Sequence, residues 1–236
     1  MNSTNDNSKD IQQQVRAALA SAQPLHICGG LSKMFYGNKP VGDRLDVSTH
    51  KGIISYEPTE LVITARSGTT LYDIECELDA QHQMLAFEPP AYTEAATIGG
   101  TIACNVSGPR RPFAGAARDF TLGCKIINGK AELLGFGGQV MKNVAGYDVS
   151  RLMVGALGTL GVIMDVSLKV LPKPETELTL VFTSSVIESL NSAQAWQRLP
   201  LPISAISFDS EKMYVRVSGT ETRHKFFVDL KKSVLC

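Results

Sequence analysis

Apolar residues recur every three or four positions in two stretches of the first third of the chain. They are Ile11, Val15, Ala18, Leu19 and Ala22 in the first stretch, and Leu71, Ile74 and Leu78 in the second. Because positions three and four apart share one face of a helix, this spacing predicts two amphipathic helices. Pro24 ends the first helix, and Asp10 with Gln13 has the spacing of a capping box at its start. Thr70, followed by Asp73, is placed at the start of the second helix.

Short apolar or alternating segments predict a series of strands. Those before residue 70 cover 25–27, 45–47, 52–56 and 61–65. The runs 120–127 and 130–136 flank Asn128-Gly129, a dipeptide that predicts a tight hairpin turn between two strands. Apolar and polar residues alternate through 161–171, which predicts a strand buried on one face only. The inward positions of that strand would be Val162, Met164, Val166, Leu168 and Val170.

Two proline-containing segments divide the chain. The segment Phe87-Glu88-Pro89-Pro90 is predicted to be rigid and extended, because a proline restricts the residue before it. Pro172-Lys173-Pro174 is placed as a domain boundary. The elements predicted after it are strand 177–182, helix 185–198, strands 203–208 and 213–217, and helix 221–233, which together make a ferredoxin-like unit without its final strand. We therefore expect an α+β chain with a disordered lead-in at 1–10, a main domain at 11–174 and an incomplete α/β module at 175–236.

The composition limits the classes to which the chain can belong. Its 236 residues suffice for one large domain or a domain and a half, and 44% hydrophobic residues are ample for a core. The formal net charge of zero argues against a nucleic-acid-binding protein, in which basic residues are in excess. No stretch reaches the roughly 18 consecutive apolar residues of a membrane span. The polar first ten residues also lack the apolar region of a signal peptide.

The cysteines and histidines give no metal-binding pattern. The five cysteines are Cys28, Cys76, Cys104, Cys124 and Cys236, and no two have C-x-x-C spacing. This odd, scattered set argues against a disulfide framework, an iron–sulfur cluster or a structural zinc site, and favours a reducing cytoplasm. The four histidines are His26, His50, His82 and His224, and none forms a metal-ligand pair. We therefore expect no metal ion.

Two glycine-containing turns carry the clearest candidate chemistry. The first, Cys28-Gly29-Gly30-Leu31-Ser32-Lys33, follows a predicted strand, and the second is TIGGTIACNVSG at 97–108, with Gly99 and Gly100 at a predicted helix start. A helix start has unpaired backbone N–H groups and a positive dipole end, which bind phosphate. A Cβ there would hold ligand oxygens away from those N–H groups. We interpret the two turns as binding one diphosphate from two sides, although either turn alone is more often an ordinary tight turn.

Other motifs leave alternatives open or are rejected. Arg110, Arg111 and Arg118 lie close in sequence to the second turn, where a guanidinium suits a carboxylate substrate, a subunit contact or a cofactor phosphate equally. The glycine spacing of GALGTLG at 155–161 superficially resembles a dinucleotide-binding fingerprint. It precedes a predicted strand instead of following one, so a Rossmann interpretation fails.

The order of these motifs resembles the FAD-binding domain of the vanillyl-alcohol oxidase/p-cresol methylhydroxylase (PCMH) superfamily. The matching segments are CGGLSK, ELVITARSGTTLYDIECEL, the prolines before TIGG, TIGGTIACNVSG and KNVAGYDVSRLMVGALGTLGVI, and they span roughly residues 20–175. The segment FGGQVMKNVAGYDVSRLMVGALGTLGVI is most similar to the FAD-binding subunits of bacterial glycolate oxidases. The resemblance implies a two-subdomain PCMH-type FAD-binding domain, followed by the incomplete cap module.

The resemblance also implies a set of FAD-contacting residues. These are Gly29, Gly30, Leu31, Ser32 and Lys33 on one side of the diphosphate, Pro90, Thr97, Ile98, Gly99 and Gly100 on or before the other turn, Asn105, Ser107 and Gly108 near the flavin ring or ribityl chain, and Gly161 and Val162 through backbone atoms. Alternatively, Asn105 only caps a turn and Val162 is only a core residue. Relatives with covalent flavin often carry His after the first glycines. Because Leu31 stands there, we expect FAD to be bound non-covalently.

The resemblance implies a function in a complex. The chain would take part in oxidising glycolate or D-lactate to the 2-oxo acid, together with a larger flavin subunit and an iron–sulfur subunit that takes the electrons. It would be cytoplasmic, with attachment to the inner face of the membrane through partners as an alternative. The competing hypotheses are a non-catalytic scaffold subunit and a stand-alone FAD-dependent alcohol oxidase. Because the last module is incomplete, we expect the isolated chain not to turn over glycolate and to expose Phe226, Phe227 and Leu230 to a partner.

Overall fold

The computed structural model describes residues 5–138 and 147–220, which form a mixed α/β fold. The helices are α1 (Ser8–Ser21), α2 (Leu71–Asp79), α3 (Ile98–Cys104), α4 (Arg111–Ala114), α5 (Ala117–Phe120), α6 (Val149–Met153) and α7 (Val186–Gln197). The strands are β1 (Leu25–Cys28), β2 (Asp43–Asp46), β3 (Ile53–Glu57), β4 (Val62–Arg66), β5 (Gln83–Met84), β6 (Thr121–Ile127), β7 (Leu133–Gly137), β8 (Val162–Lys169), β9 (Leu171–Pro172), β10 (Thr176–Thr183), β11 (Ile203–Phe208) and β12 (Lys212–Gly219). No helix in these two ranges has the length and apolar character needed to cross a bilayer.

The main sheet has five antiparallel strands in the order β3-β4-β8-β6-β7. The predicted hairpin is confirmed as β6–β7, but its tight Asn-Gly turn is wrong, because the strands join through the five residues 128–132. The Asn128 side-chain oxygen accepts hydrogen bonds from the backbone N–H groups of Lys130 and Glu132, and Ala131 takes a φ of 57°. The asparagine side chain therefore closes a wider loop than the dipeptide alone predicts.

Strand β8 lies at the centre of the sheet and is buried on both faces, not on one. Its pairing with β6 shifts register at Met164, which is a β-bulge. Val162 and Met164 therefore pack with α1 and β2, whereas Val166 joins Ile163 in the larger core cluster with α2 and α3. The bulge reverses the face to which the later residues point, and a strict alternation along the strand cannot reveal that.

The first two helices show how far local patterns determined the structure. Helix α2 begins as predicted, with the Asp73 backbone N–H donating to Thr70 Oγ1 at 3.0 Å, and its predicted apolar face is buried. Helix α1 begins at Ser8, so Asp10 lies within the first turn and the predicted capping box is wrong. The disordered lead-in is also wrong for residues 5–10, because Asn5 pairs with Lys51 as a β-bridge.

A buried histidine holds this N-terminal segment to the sheet. The Asn7 backbone N–H donates to His50 Nδ1 at 3.1 Å, so the ring proton lies on Nε2, which faces Asp165 Oδ1 at 3.2 Å. Burial alone would raise the pKa of Asp165, but hydrogen bonds from His50 and Lys125 hold it below its usual value. His50 is therefore a hydrogen-bonded core residue.

The second module is a three-stranded antiparallel sheet in the order β10-β12-β11, covered by α7. Its four predicted elements within 177–217 are present, and the Ser185–Glu188 pair forms a capping box at α7. The predicted helix 221–233, with Phe226, Phe227 and Leu230, lies outside the described residues. Phe182, Trp196 and Met213 form the core of this module.

A polar cluster joins the two modules. Glu88 is not extended as predicted but takes a φ of 47°, and its carboxylate accepts hydrogen bonds from the Arg110 backbone N–H and guanidinium. Arg110 also donates to Glu177 of β10, while Arg216 of β12 donates to Glu88 at 2.6 Å. Because these carboxylates and guanidiniums alternate in sign across the boundary, they fix the second module against the first.

Candidate functional site

An open groove of about 420 Å³ lies where the two glycine-containing turns meet. Its walls come from β1, the first turn and its continuation to Val41, the start of α3, Ser67 after β4, and the segment 157–161 before β8. Its lining includes Lys33, Lys39 and His26 but no aspartate or glutamate. The groove is therefore suited to an anionic ligand of small-molecule size.

The two turns touch each other directly, whereas the sequence predicted only that they would lie on two sides of one diphosphate. A Cβ on Gly29 would lie 2.7 Å from Thr97 Oγ1, and one on Gly30 would lie 1.5 Å from the Ala95 carbonyl oxygen. A Cβ on Gly99 would lie 2.5 Å from Ser67 Cβ. The predicted reason for these glycines, close approach of a ligand, is therefore incomplete. Three of them are required because one protein segment packs against another.

The start of α3 does not offer the free N–H groups that were predicted for it. The Ile98 N–H donates to Thr69 O at 2.9 Å, and the Gly99 N–H donates to Ser67 O at 2.8 Å. The Gly100 N–H donates to the Thr97 side-chain oxygen at 3.2 Å. The turn after β4 satisfies two of these groups, and the N-cap threonine satisfies the third. The second turn therefore contributes shape and hydroxyl groups to the groove.

The first turn offers the free N–H groups instead. Among the described residues, the backbone N–H groups of residues 29–33 have no hydrogen-bond partner. Leu31 lies in this run with a φ of 54°, a left-handed conformation that is uncommon for leucine. Successive N–H groups around a left-handed residue form a concave site that binds anions. The first turn therefore has the geometry of a phosphate-binding loop.

Lys33 adds a buried positive charge to this loop. Its side chain is only 7% exposed, and its Nζ lies 3.5 Å from Thr101 Oγ1 and 5.8 Å from the centre of the Tyr92 ring. No carboxylate in the described ranges lies within salt-bridge distance of Nζ. Burial lowers the pKa of Lys33, and a bound anion would oppose that shift. A desolvated ammonium without a carboxylate indicates an anionic ligand.

Four buried side-chain atoms lack a hydrogen-bond partner in the part of the chain that the structure describes. They are Nε and Nη1 of Arg66, Oγ of Ser67 and Oδ1 of Asn105. Asn105 caps α3 with a φ of 52°, which agrees with the alternative role proposed for it as a cap. Its unpartnered amide oxygen leaves room for a ligand contact as well.

The structure brings nine of the fifteen sequence-predicted residues to the groove. These are Gly29, Gly30, Leu31, Ser32, Lys33, Thr97, Gly99, Gly100 and Gly161. The others do not line it: they are Pro90, Ile98, Asn105, Ser107, Gly108 and Val162. Ile98 and Val162 are core residues, Gly108 packs against Glu88, and the Ala117 N–H donates to Ser107 Oγ at 3.1 Å.

Sequence reasoning missed the groove residues that follow the first turn, which are Met34, Tyr36 and 37–41, and two further parts of the groove. Ser67 lies in the quoted segment ARSGTT, two residues after the predicted strand 61–65, and that position was its only signal. Leu157, Gly158 and Thr159 belong to GALGTLG, which was rejected as a Rossmann motif although it lines the groove. No group of three or more His, Cys, Asp or Glu suited to a metal ion occurs among the residues with described positions.

Two of the three arginines in the loop after the second turn, Arg110 and Arg118, have structural partners, and Arg111 is exposed. Arg110 is buried and paired with Glu88 and Glu177, so its guanidinium already serves the contact between the modules. Arg118 donates to the Val154 carbonyl oxygen at 3.0 Å. The sequence left a carboxylate substrate, a subunit contact and a cofactor phosphate as alternatives for these arginines. The contact that Arg110 makes between the two modules of the same chain is none of the three.

The fold and the groove define a cofactor-binding domain, and comparison with known proteins gives its family. A model of a family described as "FAD binding domain" matches residues 4–149. The chain belongs to this family of FAD-binding domains, and FAD is its cofactor. The buried Lys33, the free N–H groups of the first turn and the absence of acidic residues from the described lining fit the FAD diphosphate.

The proteins similar in sequence to this chain include two glycolate oxidase subunits and a D-lactate dehydrogenase. The chain is 50% identical over 216 residues to "Glycolate oxidase subunit GlcE" of Escherichia coli (strain K12), covering 92% of this chain and 62% of that protein. It is 32% identical over 142 residues to "Glycolate oxidase subunit GlcD" of Bacillus subtilis (strain 168), covering 60% and 29%. It is 28% identical over 183 residues to a D-lactate dehydrogenase of Anaerostipes hadrus, covering 77% and 38%. The chain thus spans less than two thirds of each of these relatives.

A solved structure shares the fold. Alkyldihydroxyacetonephosphate synthase superposes with a TM-score of 0.76 at 17% identity, covering 96% of this chain and 49% of that one. At this identity the likeness concerns the fold alone.

Proposed function

We propose that this chain is the FAD-binding subunit of a glycolate oxidase or dehydrogenase. It takes part in the oxidation of glycolate, or D-lactate, to the 2-oxo acid, and electrons pass to an iron–sulfur partner. The observation that carries the proposal is the groove with a free N–H loop and a buried ammonium, in a chain half identical to a glycolate oxidase subunit. The D-lactate dehydrogenase relative supports a 2-hydroxy acid as substrate.

The chain's own residues would hold FAD by its charge and its polar edges. The backbone N–H groups of residues 29–33 and the ammonium of Lys33 would bind the diphosphate. Thr97 and Gly100 would form the opposite wall. Asn105 lies outside the groove lining, so it would contact a polar edge of the flavin only where the flavin extends beyond the groove. The bound flavin supplies a hydride acceptor, and the protein supplies orientation and electrostatics.

We further propose a finer description of the fold and of the cell location. The main domain, 11–174, would be a two-subdomain PCMH-type domain, and 175–236 would begin a cap module of the ferredoxin-like type. The strand order β10-β12-β11 with α7 supports this, because a ferredoxin-like sheet places its third strand between the first and second. The subunit would be cytoplasmic, reaching the membrane face only through its partners, which are a larger flavin subunit and an iron–sulfur subunit.

The isolated chain should not turn over glycolate. Substrate oxidation in this proposal needs the larger flavin subunit, and onward transfer needs the iron–sulfur subunit. The measurement is dye reduction with glycolate, first on the FAD-loaded chain and then after adding the partner subunits. Activity that appears only in the assembly supports the proposal. Full activity of the chain alone would favour a stand-alone oxidase, and an unchanged assembly rate with a flavin-free variant would favour a scaffold.

FAD should dissociate from the protein without cleavage of a covalent bond. Leu31 occupies the position where relatives with covalent flavin often carry histidine, and leucine offers no nitrogen to bond the flavin. Acid precipitation should therefore release all the flavin, with its yellow colour, into the supernatant. Yellow colour in the washed pellet would contradict the proposal of non-covalent binding.

A further inference from the structure

Ser67 is a buried and rigidly held residue of the groove with an unused hydroxyl. The residue belongs to the groove lining, yet it is only 1% exposed. Its backbone is fixed on both sides, because its N–H donates to Met164 O at 2.6 Å and its carbonyl accepts from the Gly99 N–H at 2.8 Å. Its Oγ has no hydrogen-bond partner in the described ranges.

An unsatisfied buried hydroxyl is unfavourable, and most buried hydroxyls in proteins have a partner. A serine side chain has three staggered χ1 positions, so Oγ can turn without any movement of the backbone. Ser67 Cβ packs against Gly99, at the start of α3, where the backbone N–H groups are already bonded within the protein. A hydroxyl is therefore the kind of donor that this wall can still offer.

We infer that the Ser67 hydroxyl donates a hydrogen bond to the diphosphate of FAD. The inference rests on the proposed placement of FAD in the groove. The first turn then binds the diphosphate with N–H groups and Lys33, and Ser67 binds it from the opposite wall. Ser67 is a binding and positioning residue, and no proton transfer is assigned to it.

The test is Ser67→Ala, with Ser150→Ala as the matched control. Ser150 is equally buried, but its hydroxyl donates to the Phe136 carbonyl at 3.0 Å and does not line the groove. Each variant of the full chain is freed of flavin and titrated with FAD and with ADP, the smaller molecule that carries a diphosphate. Thermal unfolding of the flavin-free protein is measured alongside.

The two variants should respond in opposite ways. Ser67→Ala should weaken FAD and ADP alike, by about tenfold in Kd, because a charged acceptor loses a donor. Its flavin-free form should unfold at an equal or higher temperature, because an unsatisfied hydroxyl is removed. Ser150→Ala should leave both Kd values unchanged and lower the unfolding temperature by about 2–4 °C, because a satisfied hydrogen bond is lost.

The other outcomes overturn the inference in distinguishable ways. Unchanged Kd values for Ser67→Ala would remove Ser67 from the site. Weaker FAD with unchanged ADP would move the contact to the flavin half of the cofactor. A second variant, Gly100→Glu, places a carboxylate in the same groove and should lose its flavin. If Gly100→Glu keeps its flavin, the placement of FAD in the groove is itself wrong, and not only the role of Ser67.

Discussion

Gly100→Glu should give a folded protein that purifies without flavin. Gly100 lines the groove, and a Cβ at this position would meet only Thr97 Oγ1, at 3.2 Å. The Thr97 hydroxyl must therefore shift by a few tenths of an ångström, a movement small enough for the protein to stay folded. The new side chain places a carboxylate in a groove whose described lining contains none, where it opposes the diphosphate and competes for the buried Lys33 ammonium.

The expected loss is large because attraction is replaced by repulsion. A hydrogen bond to a charged group is worth about 1.5–3 kcal/mol. If the diphosphate loses its contacts with Lys33 and with one N–H group of the first turn, the affinity for FAD falls by about 10²- to 10⁴-fold. The measurement is the ratio of flavin to protein absorbance, with circular dichroism to confirm folding. Gly129→Glu is the control, because a side chain there meets nothing within 4 Å and lies outside the groove. A normal flavin content in Gly100→Glu would place the diphosphate elsewhere.

Gly30→Ala should both destabilise the protein and remove the flavin. The added Cβ would lie 1.5 Å from the Ala95 carbonyl oxygen and 2.5 Å from its carbonyl carbon, and both atoms belong to the backbone. Relief requires the first turn to move away from the segment before α3. Forced overpacking typically costs about 1–3 kcal/mol and sometimes more, and this contact lies at the severe end. Separation of the turns would also open the phosphate-binding loop.

Unfolding in urea with and without FAD measures both effects. Gly129→Ala is the control, because it removes the same glycine flexibility in open space and should be neutral or slightly stabilising. The two groove variants should differ in the flavin-free state: Gly100→Glu keeps near-native stability, whereas Gly30→Ala loses it. Native stability in Gly30→Ala would show that the turns do not need their close contact.

The sequence reveals a feature when neighbouring residues create it. Thr70 is a recognisable helix cap because the N–H group from which it accepts a hydrogen bond, that of Asp73, lies three positions away. The hairpin is recognisable because both strands flank one turn. The length of that turn is not recognisable, because it depends on two hydrogen bonds that the side chain of Asn128 accepts from the backbone.

Part of the candidate site is also determined by residues that are neighbours in the sequence. The sequence located both glycine-containing turns, and the first of them includes the residues 29–33 that carry the free N–H groups. It did not reveal which of the two turns has its N–H groups free. That depends on Thr69 and Ser67, whose carbonyl oxygens reach α3 from a distant strand end.

By itself, the sequence determined the family, the cofactor and most of the helices and strands of this protein, because caps, periodicity and glycine turns depend on neighbouring residues. Tertiary structure decided the rest. It placed Arg110 between Glu88 and Glu177, put the bulge at Met164, and left the Ser67 hydroxyl without a hydrogen-bond partner in the described part of the chain. The physical reason is that the hydrogen-bond partner and the steric contacts of a side chain depend on which segments, distant in sequence, meet in the fold. A local pattern of residues does not specify which segments meet.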